Sequence, residues 1–243
     1  MRVVAIIQAR MGSTRLPGKV LKDLGGETVL ARVVNRTRRA KLLDEVVVAT
    51  TIQPADDAIV GECGRLSVAC FRGDEADVLD RYHRAAQRFS ADAIVRITSD
   101  CPLIDPELVD ATVHAFLNQK PDYATNALVV TYPRGLDVEV FTADALARTW
   151  GAAKEPYQRT HVTTYMYENP EIFKIVSLTA EKDWGKYRWT LDTGEDLEAI
   201  REIYKHFPEG DLVPWYEVVS LMEIHPELIE LNSGVQQKTL RQG

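Results

Sequence analysis

Through about residue 120 the chain alternates short apolar runs of strand length with longer amphipathic stretches. This rhythm limits the architecture more than any other feature. "VVAIIQA", residues 3–9, is nearly continuous in apolar character, as expected of a strand buried on both faces. "DEVVVATT", "SVACF" and "DAIVRIT" read as further strands. Between them, "ETVLARVVNRTRRAK" places Val29, Leu30, Val33, Val34 and Thr37 on one helical face. "ADDAIVGECGRL" groups Ile59, Val60 and Cys63, and "ADVLDRYHRAAQRF" aligns Val78, Leu79, Tyr82, Ala86 and Phe89. "DPELVDATVHAFLNQ" is a helix with Asp105 as its N-cap and Pro106 at the first helical position. Strands alternating with helices predict an α/β fold with a mostly parallel sheet covered on both faces. Ligands of such sheets bind at the carboxyl ends of the strands. That rule places "RMGSTRLPGK", "ATTIQ", "FRGD" and "TSD" on one rim.

The second half is less regular. "LDVEVF", "FKIVSL" and "YRWTLD" read as strands, and "EPYQRTHVTTYMYEN", "GEDLEAIREIYKHF" and "PWYEVVSLMEI" as helices. No linker rich in Gly, Ser or Pro interrupts the chain, and no repeat is visible. A single domain over residues 1–243 is expected, with residues 121–243 completing the sheet begun by residues 1–120.

Charge and cysteine content narrow the function. A formal net charge of -7, from 36 acidic and 29 basic residues, disfavours nucleic acid as a partner. Three cysteines, Cys63, Cys70 and Cys101, form neither a disulfide framework nor a zinc spacing, so a reducing cytoplasm is expected. The apolar N-terminus is too short to span a membrane and lacks a cleavage site of small residues.

"RMGSTRLPGK" concentrates Arg10, Arg15 and Lys19 in one rim loop. It is not a P-loop. One residue too many separates Gly12 from Gly18, Val20 stands where a Ser or Thr is required, and Pro17 lacks a backbone N–H. The functional reading is a triphosphate clamp, in which glycines admit phosphate oxygens to backbone donors and the cations offset their charge. A solvated basic loop is the alternative. Asp100 and Asp192 each follow a strand, and carboxylates so placed beside phosphates suit Mg²⁺. A turn-forming Asp100 is the plainer reading. Glu195 and Asp196 fit the positive end of the helix they begin. These features together make residues 1–120 the nucleotide-binding half and residues 121–243 the acceptor-binding half.

Ala9, Arg10, Ser13, Arg15, Leu16, Pro17 and Lys19 spell out A-R-x-x-S-x-R-[LF]-P-x-K. This pattern resembles the N-terminal signature of the cytidylyltransferases that activate sugar acids, the CMP-Kdo and CMP-sialic acid synthetases. "LDTGEDLEAI" resembles their later D-T-x-E-D-L segment. "FRGDEADVLDRYHRAA", "TSDCPLIDPELVD", "YPRGLDVEVF" and "RTHVTTYMYENPE" resemble, more narrowly, the SpsF-like spore-coat polysaccharide biosynthesis proteins. The likeness covers nearly the whole chain. It implies a three-layer, glycosyltransferase-A-like and Rossmann-like nucleotidyltransferase fold with a mixed, mostly parallel sheet. It implies CTP as nucleotide, Mg²⁺ as cofactor and a homodimer, to which the aromatic-rich "TYMYENPEIF" and "KDWGKYRW" also point. CMP would pass to a sugar acid or related acceptor with release of pyrophosphate. Arg10, Ser13, Arg15 and Lys19, with Ala9 and Gly12, would hold the triphosphate, and Asp100 and Asp192 the metal. The Kdo enzymes carry Q-G-D-E-P where this chain has "ITSDCP", so the acceptor need not be Kdo.

Arg72, Gly73, Asp80 and Arg81 are expected near the nucleotide, although Asp80 and Arg81 equally suit a solvated helix face. Asn126, Arg134, Asp137, Glu139, Arg159 and His161 are candidates for the acceptor pocket, although "RGLDVEV" also reads as an ordinary turn and strand. Trp184, Tyr187 and Trp189 suit a core or an interface better than a stacking platform. The competing functions are a glycosyltransferase that consumes a sugar nucleotide and a non-catalytic nucleotide-binding protein. "TSDCP" lacks the second Asp of the D-x-D motif that the glycosyltransferase would want.

Overall fold

The computed structural model describes residues 1–238. Strand β1 (Val3–Gln8) is buried at its first five positions because it has a parallel neighbour on each edge, β4 (Glu45–Thr51) and β6 (Ala93–Thr98). Strand β5 (Ala69–Gly73) extends the parallel set. Strand β8 (Glu139–Thr142) runs antiparallel to both β6 and β7 (Tyr123–Thr125), and β9 (Ile175–Ser177) pairs parallel with β7. The sheet has seven strands in the order β5-β4-β1-β6-β8-β7-β9, and a two-stranded hairpin of β2 (Asp23–Leu24) and β3 (Glu27–Thr28) stands apart.

Alternating side chains of β1 divide between two apolar layers. Ala5 and Ile7 join the layer containing α1 (Val29–Thr37), α2 (Asp57–Arg65), α4 (Pro106–Gln119), α8 (Gly194–Lys205) and α9 (Trp215–Ile224). Val4 and Ile6 join the layer containing α3 (Val78–Arg88), α5 (Ala143–Ala152) and α7 (Thr164–Glu168). Two short helices, α6 (Pro156–His161) and α10 (Glu227–Glu230), are the remaining α-helices among the described residues. Period-two alternation thus produces a three-layer α/β/α structure. Asp105 caps α4 as expected: Oδ1 accepts from the backbone N–H groups of Glu107 and Leu108 at 2.9 and 3.1 Å.

Two expected elements differ. "YRWTLD" is not a strand of the sheet. Tyr187, Trp189 and Leu191 are buried in alternation, but the backbone bonds to a loop: Arg134 N–H donates to Tyr187 O at 3.0 Å and Trp189 N–H to Arg134 O at 2.7 Å. Gly135 permits this approach, since a Cβ there would lie 2.6 Å from the Trp189 carbonyl carbon and its φ is +102°. "EPYQRTHVTTYMYEN" forms two helices, α6 and α7, broken at Val162, whose φ of 60° and ψ of -59° describe a strained γ-turn. Its closing bond runs from Thr163 N–H to His161 O at 2.6 Å.

Candidate active site

The parallel strands β1, β4, β5 and β6 end on one side, so the segments that leave them share a rim. Gln8 pairs with Thr98, which brings the loop starting at Ala9 beside Ser99 and Asp100. A cleft of about 380 Å³ opens there, with Ala9, Ser13, Thr98 and Ser99 in its lining. The basic loop is fixed internally and from below. Ser13 N–H and Gly18 N–H donate to Met11 O at 2.9 and 3.1 Å, and Gly18 has a φ of +67°. Met11 N–H donates to Oδ1 of the buried Asp56 at 2.7 Å, while Oδ2 accepts from the Thr51 hydroxyl.

Lys19 lines the cleft. Its Nζ donates to Asp100 Oδ2 at 2.9 Å, to Asp192 Oδ1 at 2.9 Å and to Leu191 O at 2.7 Å. All three ammonium protons are therefore engaged. Burial works against the charged amine, but Asp100 and Asp192 outweigh it and raise the Lys19 pKa. Burial likewise opposes the Asp100 carboxylate. The Lys19 charge and the Thr98 hydroxyl, 2.6 Å from Oδ1, reverse this and hold Asp100 at about 2. The two carboxylate segments also meet directly, because Leu191 N–H donates to Asp100 O at 2.8 Å.

Asp192 Oδ2 accepts from Arg15 Nη2 at 3.0 Å and from Arg188 Nη2 at 2.9 Å. Arg188 in turn makes a two-point contact with the fully buried Asp196, at 2.8 and 3.0 Å. Asp196 Oδ2 accepts from Asp192 N–H at 2.9 Å and from Thr193 N–H at 3.1 Å, so it sets the Asp192 backbone. Sequence reasoning missed Asp56, Thr98 and Arg188, and it assigned Asp196 to the helix dipole alone. The available signals were slight: Arg188 stands four residues before Asp192, and Asp196 occupies the capping-box position after Thr193.

The other expected residues divide. Arg10 lines the cleft, with Glu75 4.0 Å away. Arg81 also lines it. Arg81 is buried, its Nη1 donates to Asp74 O at 2.7 Å, its Nε has no hydrogen-bond partner among the described residues, and burial together with Arg10 lowers its pKa. Gly12 packs against Glu75, whose Oε1 would lie 3.1 Å from a Cβ there. Arg72, Gly73 and Asp80 line a separate groove. Arg72 binds Thr51 O at 2.8 Å and Asp57 at 2.6 Å, and Asp80 binds Arg84 at 2.7 Å and the Trp150 ring N–H at 2.9 Å.

Among the acceptor candidates, His161 and its neighbour Thr160 line the main cleft, directly before the turn at Val162. Asp137 reaches solvent, but the dense protein around it desolvates its carboxyl and pushes it up to about 6, with Glu139 and Asp100 adding negative charge. Arg134 lines a second pocket of about 250 Å³ with Lys186, Arg188 and Asn232. Glu139 is buried beneath the cleft, paired with Arg96 and hydrogen-bonded by the Thr163 hydroxyl and by the Tyr123 hydroxyl at 2.7 Å. Asn126 is also buried, stapling Leu136 O and Val138 N–H at 2.8 Å each. Arg159 is held by Asp77 at 2.7 Å.

A mixed sheet of this order, with a basic loop leaving β1 and an aspartate leaving β6, defines an α/β nucleotidyltransferase. The chain belongs to the cytidylyltransferase family, whose model matches residues 4–214. It is 36% identical to the spore coat polysaccharide biosynthesis protein SpsF of Bacillus subtilis over 233 residues, 93% of this chain and 95% of that protein. It superposes with a TM-score of 0.92 on a cytidylyltransferase from Leptospira borgpetersenii, 35% identical, covering 98% of this chain and 100% of that one. The fold is shared with a CMP-2-keto-3-deoxy-manno-octonic acid synthetase solved with CTP, at a TM-score of 0.65 and 21% identity over 85% of this chain and 99% of that one. Among the described residues no helix is long and apolar enough to cross a membrane.

Proposed function

We propose that this chain, acting as a single domain, transfers CMP from CTP to a sugar acid or related acceptor and releases pyrophosphate, in the synthesis of a cell-surface or spore-coat polysaccharide in the cytoplasm. The observation that carries this reading is the convergence of Asp100 and Asp192, 92 positions apart, on one lysine inside a basic cleft. Arg10, Arg15 and Lys19, with Ser13 and the backbone at Ala9 and Gly12, hold the triphosphate. Negative charge spreads over phosphate oxygens as the acceptor attacks, and fixed cations stabilise it without reorganising. Lys19 has no spare proton, so it meets a phosphate by releasing one of its three partners.

Asp100 and Asp192 fit Mg²⁺. They are hard oxygen donors within reach of one cation, and Mg²⁺ takes one or two carboxylates together with phosphate and water. Among the described residues no cluster of three or more His, Cys, Asp or Glu side chains gathers to hold a metal unaided, so phosphate and water complete the set. When bound, the ion supplies charge at the oxygens that enter and leave phosphorus. His161 and Asp137 are the acceptor-facing groups of this reading.

Pyrophosphate release is the test: each nucleoside triphosphate with Mg²⁺, against a panel of sugar acids, sugars and phosphonates. CTP is also expected to raise the thermal midpoint most, with about 2.7 kcal/mol of stabilisation at ~100 times its dissociation constant. A larger shift with UTP or ATP refutes the cytidylyl assignment. Transfer from a labelled UDP-sugar without pyrophosphate identifies a glycosyltransferase instead.

The reading includes a homodimer. Leu128, Val129 and Val130 are consecutive apolar residues left 39, 51 and 39% exposed, a surface that a second copy would cover. Light scattering at micromolar concentration is expected to give twice the chain mass, and the mass of one chain counts against it.

A further inference from the structure

The match to the cytidylyltransferase family ends at residue 214, yet the chain beyond it returns to the cleft. Asn232 is buried and anchors the return, donating to Arg188 O at 3.0 Å and to Asp196 Oδ1 at 2.9 Å. Gln236 O accepts from Arg15 Nη1 at 3.4 Å, and Gln237 Oε1 accepts from Arg188 Nη1 at 2.7 Å. Both arginines also hold Asp192 Oδ2. The next residue, Lys238, lines the same cleft as Lys19.

Among the described residues the lining carries five cations, Arg10, Arg15, Lys19, Arg81 and Lys238, against two carboxylates. That surplus suits a polyanion, and most of the charge of a nucleoside triphosphate lies on its distal phosphates. On the triphosphate reading the α-phosphate sits by the carboxylates that pair with the largely enclosed Lys19. Lys238 is exposed and follows the residues that touch Arg15, which puts it at the outer end of the same path.

We propose that residues 236–238 form a further wall of the phosphate site and that Lys238 binds the β- and γ-phosphates, the part that departs as pyrophosphate. This rests on reading the cleft as a triphosphate site. It adds a binding residue outside the family match, attached through Arg15 and Arg188 to the aspartate that faces Lys19.

Calorimetric titration of the full chain with CTP, inorganic pyrophosphate and CMP, in Mg²⁺, tests it in wild type, Lys238→Ala and Lys238→Arg. Lys238→Ala is expected to weaken CTP and pyrophosphate about five- to ten-fold, as for loss of one exposed charge-assisted hydrogen bond. CMP affinity and the thermal midpoint stay unchanged, and Lys238→Arg restores most of the loss. Equal CTP affinity in wild type and Lys238→Ala overturns the tail proposal and leaves the triphosphate reading standing. Equal weakening of CMP and CTP overturns it too, because CMP lacks the distal phosphates. A wild type that binds neither CTP nor pyrophosphate removes both readings.

Discussion

Lys19→Ala is expected to lower turnover by about 10²–10³, the usual consequence of losing one preorganised charge-stabilising group. Three effects combine in this substitution. On the proposed reading of the cleft, the triphosphate loses a cation. Asp100 and Asp192 lose the ammonium that lies 2.9 Å from each, so two carboxylates face one another with less compensation. Leu191 O loses a donor at 2.7 Å. The fold should survive, because Lys19 sits on the rim and no apolar core atom is removed. The Asp100 carboxyl should rise from about 2, since the charge that holds it below its ordinary value of 3.8 is gone. The sign follows from linkage. A carboxyl with a depressed native pKa stabilises the fold above the unfolded value, and that contribution disappears as pH falls through the native value. In wild type the contribution of Asp100 is therefore complete above about pH 4 and lost toward pH 2. In Lys19→Ala that acid-side dependence should flatten. Turnover at saturating CTP and Mg²⁺, with denaturation midpoints between pH 2 and pH 6, measures both consequences. Near-normal turnover would return the loop to a solvated connection.

Asp100→Asn and Asp192→Asn should each cripple turnover and raise the Mg²⁺ requirement, because asparagine keeps the shape and removes the charge that a hard cation needs. The double variant should be little worse than the poorer single one, since groups serving one ion act as a unit. The competing explanation for Asp192 is that it merely starts α8. The geometry weakens that explanation: Thr193 is the N-cap, with its hydroxyl accepting from Asp196 N–H at 3.3 Å. Losing the charge of Asp192 leaves this cap in place, so an effect of the usual 0.5–2 kcal/mol for a lost cap is not expected. Turnover against Mg²⁺ concentration in the four proteins decides the matter. An unchanged metal requirement in Asp192→Asn would remove that residue from the site.

Local signals were read well from the sequence, and long-range ones were not. Asp105 followed by Pro106 specifies a helix entry within two residues, and it caps α4. The apolar run of β1 implied burial on both faces, and β4 and β6 supply the two neighbours. "YRWTLD" shows where such reasoning stops. It reads as a strand, with Tyr187 and Trp189 suited to a core; Tyr187, Trp189 and Leu191 are buried in alternation, but period two does not say whether the backbone pairs with a strand or a loop. Val162 breaks a helical pattern with a conformation that no β-branched residue adopts by preference.

The site follows the same division. The spacing of Arg10, Arg15 and Lys19 in one loop was visible. That Lys19 would reach Asp100 and Asp192 was not, because these contacts span 81 and 173 positions. Glu139 looked like a pocket residue on an alternating strand. Its cross-strand partner is Arg96 of β6, and the pair is sealed with Tyr123 and Thr163 below the cleft. Arg96 and Glu139 stand 43 positions apart, so no short window of sequence contains both partners.

The three-way contact of Lys19 with Asp100, Asp192 and Leu191 has a consequence for biosynthesis. A ribosome delivers β1, β4, β5 and β6 early, and these four strands pair only with one another on the parallel side. The lysine is then present with one of its two counter-charges. The second arrives some ninety residues later, after β8 has capped the open edge of β6 and β9 has joined β7. Distant closures of this kind come late in folding because the loop entropy must be met before the contact forms. A nascent chain that has delivered these four strands thus carries Lys19 and Asp100 without Asp192, Arg188 or Asp196, and the cluster around the lysine closes only when synthesis has passed residue 196.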